Sequence, residues 1–83
     1  MLYPFYEDDN IEIAYSDYKN FDGISLVRIY AESFNEKREH FDKLEFYIPS
    51  YTITQCKGFN FEQVKKIYSL VKTCQEMIIR RAK

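Results

Sequence analysis

The chain has no tryptophan, one histidine, two cysteines, two glycines and two prolines among its 83 residues. Each scarcity excludes something. So few glycines and prolines leave little material for long irregular loops. Neither a Gly-rich phosphate loop nor a dinucleotide fingerprint occurs, and two glycines could not supply one. Zinc sites need cysteine and histidine at ligand spacing; Cys56, Cys74 and a single distant His40 do not provide it. His40 falls in a charged stretch, where a lone histidine is expected to be solvated. In a reducing compartment the two cysteines read as buried thiols acting as small hydrophobes.

No apolar run approaches the ~18 residues of a membrane span. The N-terminal stretch Met1–Asp9 has no basic region and turns acidic at once, unlike a secretory signal or a transit peptide. These absences predict a cytoplasmic chain without membrane contact. Glu7-Asp8-Asp9 lacks the Gly turn and ligand alternation of a calcium loop, so it is expected to face solvent. No metal, cofactor or catalytic constellation is expected, and the chain does not read as an enzyme.

What remains is one small domain over 1–83. An apolar share of 46% is ordinary for a folded chain. A core of this size is thin, and such domains often lean on a partner subunit. The formal net charge of −1 is unevenly divided, with an acidic body over 1–60 and a basic segment over 61–83. Arg80, Arg81 and Lys83 suit the negative end of a helix dipole, and Lys65, Lys66 and Lys72 are expected to face water.

The pattern predicts an α+β fold: a four-stranded antiparallel β-meander, then one long C-terminal amphipathic helix packed on one sheet face. Residues 1–10 read as an arm whose Leu2, Tyr3, Phe5 and Tyr6 pack on the body, with Pro4 keeping it out of a helix interior. Period-two alternation and β-branched content place strands over 11–17, 24–34, 42–48 and 51–57 within the 11–57 meander. Residues 19–23 carry turn chemistry, and Asp17 and Asp22 read as turn formers. Residues 35–40 form a charged connector, and Pro49 closes the third strand.

Asn60 reads as an N-cap, Gln63 as its capping-box partner, and Phe59 and Val64 stand at hydrophobic-staple positions. From there Val64, Ile67, Val71, Cys74 and Ile78 form one helical stripe over 60–82. The full apolar arc spans ~200°, wider than one sheet contact needs. A straight helix of this length, ~33 Å, overhangs a sheet under ~20 Å wide. Leu70, Met77, Ile78 and Ile79 are then left over, which predicts a homodimer through the helix, with the N-terminal arm as the rival cover.

The sheet face away from the helix is expected to show Leu26, Arg28, Tyr30, Lys43 and Tyr47. Tyr and Arg favour protein contacts, because they join large area to a polar handle. The expected function is therefore a non-catalytic module that binds a macromolecular partner, most simply a protein. Inhibitors, immunity proteins and regulatory subunits share this profile. The alternative is a single-stranded nucleic-acid binder stacking bases on Tyr30 and Tyr47 beside Arg28. Glu12, Glu32 and Glu45 on the same face, and an isoelectric point near 5.8, oppose that alternative.

Overall fold

The computed structural model describes residues 2–8, 10–35 and 40–82. The fold is α+β: an antiparallel sheet followed by two C-terminal helices. The strands are β1 (Leu2–Glu7), β2 (Glu12–Ser16), β3 (Lys19–Phe21), β4 (Ile24–Asn35), β5 (His40–Ile48) and β6 (Thr52–Lys57). The helices are α1 (Phe61–Thr73) and α2 (Gln75–Ala82). The sheet order is β1-β2-β4-β5-β6, with β3 extending the β4 hairpin beyond the end of β2.

The core is the inward row of each strand. Ile13 and Tyr15, Val27, Ile29 and Ala31, and Leu44, Phe46 and Ile48 alternate with outward residues and are buried. Ile67, Val71 and Ile78 of the helices close over them. The helix start follows the local sequence: Asn60 Oδ1 accepts from Gln63 N, and Gln63 Oε1 accepts from Asn60 N, each at 2.9 Å. Phe59 is buried and Val64 packs against the core.

Four features depart from the sequence reading. The arm is a fifth strand along the sheet, β1, paired antiparallel to β2 from Leu2↔Ser16 to Glu7↔Glu12. Pro4 fits because β1 is an edge, where a missing N–H breaks no ladder. A bulge at Phe5 gives both Phe5 and Tyr6 contact with the core. Second, the expected turn over 19–23 tightens to Asp22–Gly23, both at positive φ (+51° and +82°), and residues 19–21 pair with β4. That is the backbone of a two-residue hairpin turn.

Third, the single helix is broken at Cys74. Ser69 Oγ donates to Lys65 O at 3.1 Å and Thr73 Oγ1 donates to Ser69 O at 2.9 Å. Such hydroxyl back-bonds bend helices. The Cys74 N–H then reaches Val71 O at 3.1 Å, a tighter turn, and the ladder restarts with Ile78 N to Cys74 O. The bend carries α2 onto β2, and its last carbonyl, Ala82 O, accepts from Tyr18 N at 3.1 Å. Fourth, His40 begins β5 rather than lying in the connector, and Tyr51 lies in the turn after the cis Ile48–Pro49 bond rather than in β6. Residues 36–39 of the connector, Asp9 of the acidic run and Lys83 of the basic tail lie outside the described residues.

Candidate functional site

Both helices cover one face, so the sheet's other face is open. Alternation from the buried Val27, Ile29 and Ala31 sends Leu26, Arg28, Tyr30, Glu32 and Phe34 of β4 outward. Register extends this face across the neighbours. Arg28 stands opposite Tyr47, Tyr30 opposite Glu45, Glu32 opposite Lys43 and Phe34 opposite Phe41. On the other side Tyr30 stands opposite Ala14, and Glu32 opposite Glu12, whose own β1 partner is Glu7. Thus Leu26, Arg28, Tyr30, Lys43 and Tyr47 share one face, all half-buried.

Sequence reasoning missed the ends of this face. Phe34 and Phe41 are 53% and 47% exposed and meet edge to face, ring centroids 5.2 Å apart. They project because β2 stops pairing at Glu32 and β6 stops at Lys43, so the β4–β5 hairpin continues alone. The signal was present in the alternation of 24–34, but the sequence cannot show where the flanking strands end. Leu2, also exposed, lies on the same face opposite Ser16. Of six large exposed apolar side chains among the described residues, three are therefore here.

The electrostatics are mixed. Arg28 Nη1 lies 4.0 Å from Glu45 Oε2. Its buried Nε has no hydrogen-bond acceptor among the described residues. The Tyr30 hydroxyl donates to Glu32 Oε2 at 2.9 Å. Burial first, then that bond to Glu32, pushes the Tyr30 phenol up to about 12. Glu7, Glu12, Glu32 and Tyr30 rim a shallow depression of about 280 Å³ with Leu2, Pro4 and Ala14.

The helix side shows a different surface. Ile78 is fully buried in the chain's own core, which removes it from the set left over for a dimer. Leu70 and Ile79 are half-buried, and Met77 is 37% exposed. The sheet is one strand wider than expected, and the helix is interrupted at Cys74 rather than running straight. The bulged β1 approaches the helix, and Phe5 and Tyr6 line a groove of about 530 Å³ with Leu70, Cys74 and Met77. Cys56, expected to be buried, is exposed like the rest of β6; Cys74 is half-buried at the bend, and both are free thiols.

Asp8 is a turn former: its Oδ1 accepts from Asn10 N and Ile11 N at 2.7 and 2.8 Å. Those backbone bonds, and the Tyr6 hydroxyl, hold its carboxyl below the usual range. Among the described residues no group of three or more His, Cys, Asp or Glu could hold a metal ion. No described helix is long and apolar enough to cross a membrane. No protein family, curated protein or solved structure matches this chain.

Proposed function

We propose that the protein is a non-catalytic interaction module that docks a protein partner through the open face of its sheet. The observation that carries this reading is the composition of that uncovered face. Leu2, Leu26, Phe34 and Phe41 lie among Arg28, Tyr30 and Tyr47, with both helices on the opposite side. Aromatic and arginine side chains in an apolar setting are the usual energetic centres of protein interfaces. A central strand with apolar groups on both faces has a second face suited to contact rather than to water.

Capture from a lysate of the encoding organism tests the reading by comparison. Wild-type protein is expected to retain a binding partner that Tyr30→Asp and Phe34→Asp lose and that Met77→Lys on the helix retains. A partner held equally by all four would place docking elsewhere and end this reading.

A further inference from the structure

We infer that the protein docked on the open face is a second copy of this chain, stacked sheet to sheet about a two-fold axis that crosses β4 at Tyr30. This rests on the reading of that face as a docking surface. The outward side chains of β4 run Leu26, Arg28, Tyr30, Glu32, Phe34. In chemical terms the run is apolar, positive, aromatic, negative, apolar. Because β4 is the middle strand of the sheet path, this run is the central ridge of the face.

Laid antiparallel upon itself about Tyr30, the ridge complements itself. Leu26 meets the second copy's Phe34, Arg28 meets its Glu32, and the two Tyr30 rings meet on the axis. A two-fold interface demands this reciprocity: residue i touches j, and j touches i. On β5 the same operation sets Lys43 over the second copy's Tyr47, a cation against an aromatic face. Glu45 meets its own copy there, with Arg28 beside each carboxylate. Sheets stacked face to face keep their strands within about 30° of alignment, and the antiparallel arrangement satisfies that.

The charged pair has unspent capacity within one chain. A guanidinium carries five N–H donors. The Arg28–Glu45 separation of 4.0 Å is too long for a hydrogen bond, so the terminal guanidinium nitrogens keep donors for an incoming carboxylate. Glu32 accepts from the Tyr30 hydroxyl through Oε2, which leaves Oε1 for an incoming donor. Arg28 and Glu32 of one chain stand about 13 Å apart along β4 and cannot pair with each other. Across the two-fold they can, twice per dimer.

Size sets the strength. Five strands about 4.8 Å apart and nine residues along β4 give a footprint of about 500 Å² per copy. Two copies bury about 1,000 Å², at the low end of specific interfaces. An interface of that size suits a reversible dimer, whose association is sought across micromolar concentrations.

Light scattering of the full chain across about 5–500 µM tests this. The mass should rise from 10.1 kDa towards twice that value. Arg28→Glu and Glu32→Arg should each weaken association at least about tenfold, since like charges then face each other across the axis. An equimolar mixture of the two variants should recover the dimer, because each substituted site then meets its opposite. Circular dichroism checks that the variants fold. If either does not, the wild-type series and Phe34→Asp, which should also weaken association, still decide. A wild-type mass constant near 10 kDa, a dimer indifferent to Arg28→Glu, or one split by Met77→Lys instead would overturn the inference. A monomeric protein whose Tyr30-dependent partner is a different protein would overturn this inference and leave the docking-face reading standing.

Discussion

Gly58 sits at φ +91°, and a Cβ there would fall 1.9 Å from the Asp42 carboxylate. Backbone and space therefore both demand glycine. Gly58→Ala should destabilise the domain by at least about 2 kcal/mol, read from a denaturant midpoint. Two residues on, Asn60→Ala should cost about 1 kcal/mol while Asn60→Ser stays near wild type, because serine also offers an acceptor to the Gln63 N–H. Tyr51 holds a left-handed φ of +58° without being glycine. Its ring lies 5.7 Å from Phe46 and 5.2 Å from Tyr68, and its hydroxyl donates to Gln75, so packing offsets the backbone cost. Tyr30 makes a pH prediction. Its folded pKa, about 12, lies above the ordinary value of 10.0. Its contribution is full below pH 10 and is lost as pH rises towards about 12. Stability should fall across that window, and Tyr30→Phe should make the fall shallower; absorbance titration of tyrosinate should lose one late-titrating ring.

At the scale of elements, local chemistry was legible and its extent was not. The Asn60–Gln63 box, the Asp22–Gly23 reversal and the inward alternation of β2, β4 and β5 are properties of neighbouring residues. The strand character of β1 is not, since Leu2–Glu7 has weak alternation and a proline, and only the partner β2 makes it a strand. The break at Cys74 was equally hidden: no glycine or proline marks it, and Ser69 and Thr73 bend the helix through hydroxyls that a propensity reading counts as neutral. The free end of the β4–β5 hairpin gives the element-scale prediction. Phe34 and Phe41 rest on each other beyond the flanking strands, so Phe34→Asp should lower the unfolding free energy, read from denaturant melts, by no more than about 1.5 kcal/mol, the scale of one aromatic pair. The same variant should lose far more in association, and the two measurements on one sample separate surface from core.

At the scale of the whole molecule, the open face decides between partner classes. Glu7, Glu12, Glu32 and Glu45 share it with Arg28 and Lys43, and the isoelectric point is near 5.8. A phosphate backbone gains little from such a surface, because few counterions would be released. Fluorescence anisotropy with single-stranded DNA or RNA at about 150 mM salt should show no binding. Micromolar binding that falls with salt and with Tyr30→Ala would reverse the ranking of protein over nucleic acid.

The sequence by itself determined the α+β class, the antiparallel pairing of the central strands, the helix start and which residues of β4 point outward. Those follow from period, caps and turn residues, which act over a few positions along the chain. Only the tertiary structure decided that the arm is a strand, that the helix bends to close over β2, and that Ile78 belongs to the core. It also decided that Leu26, Arg28, Tyr30, Glu32 and Phe34 form an uncovered central ridge. These outcomes depend on residues far apart in the chain competing for one shared surface, and no local pattern records who covers whom.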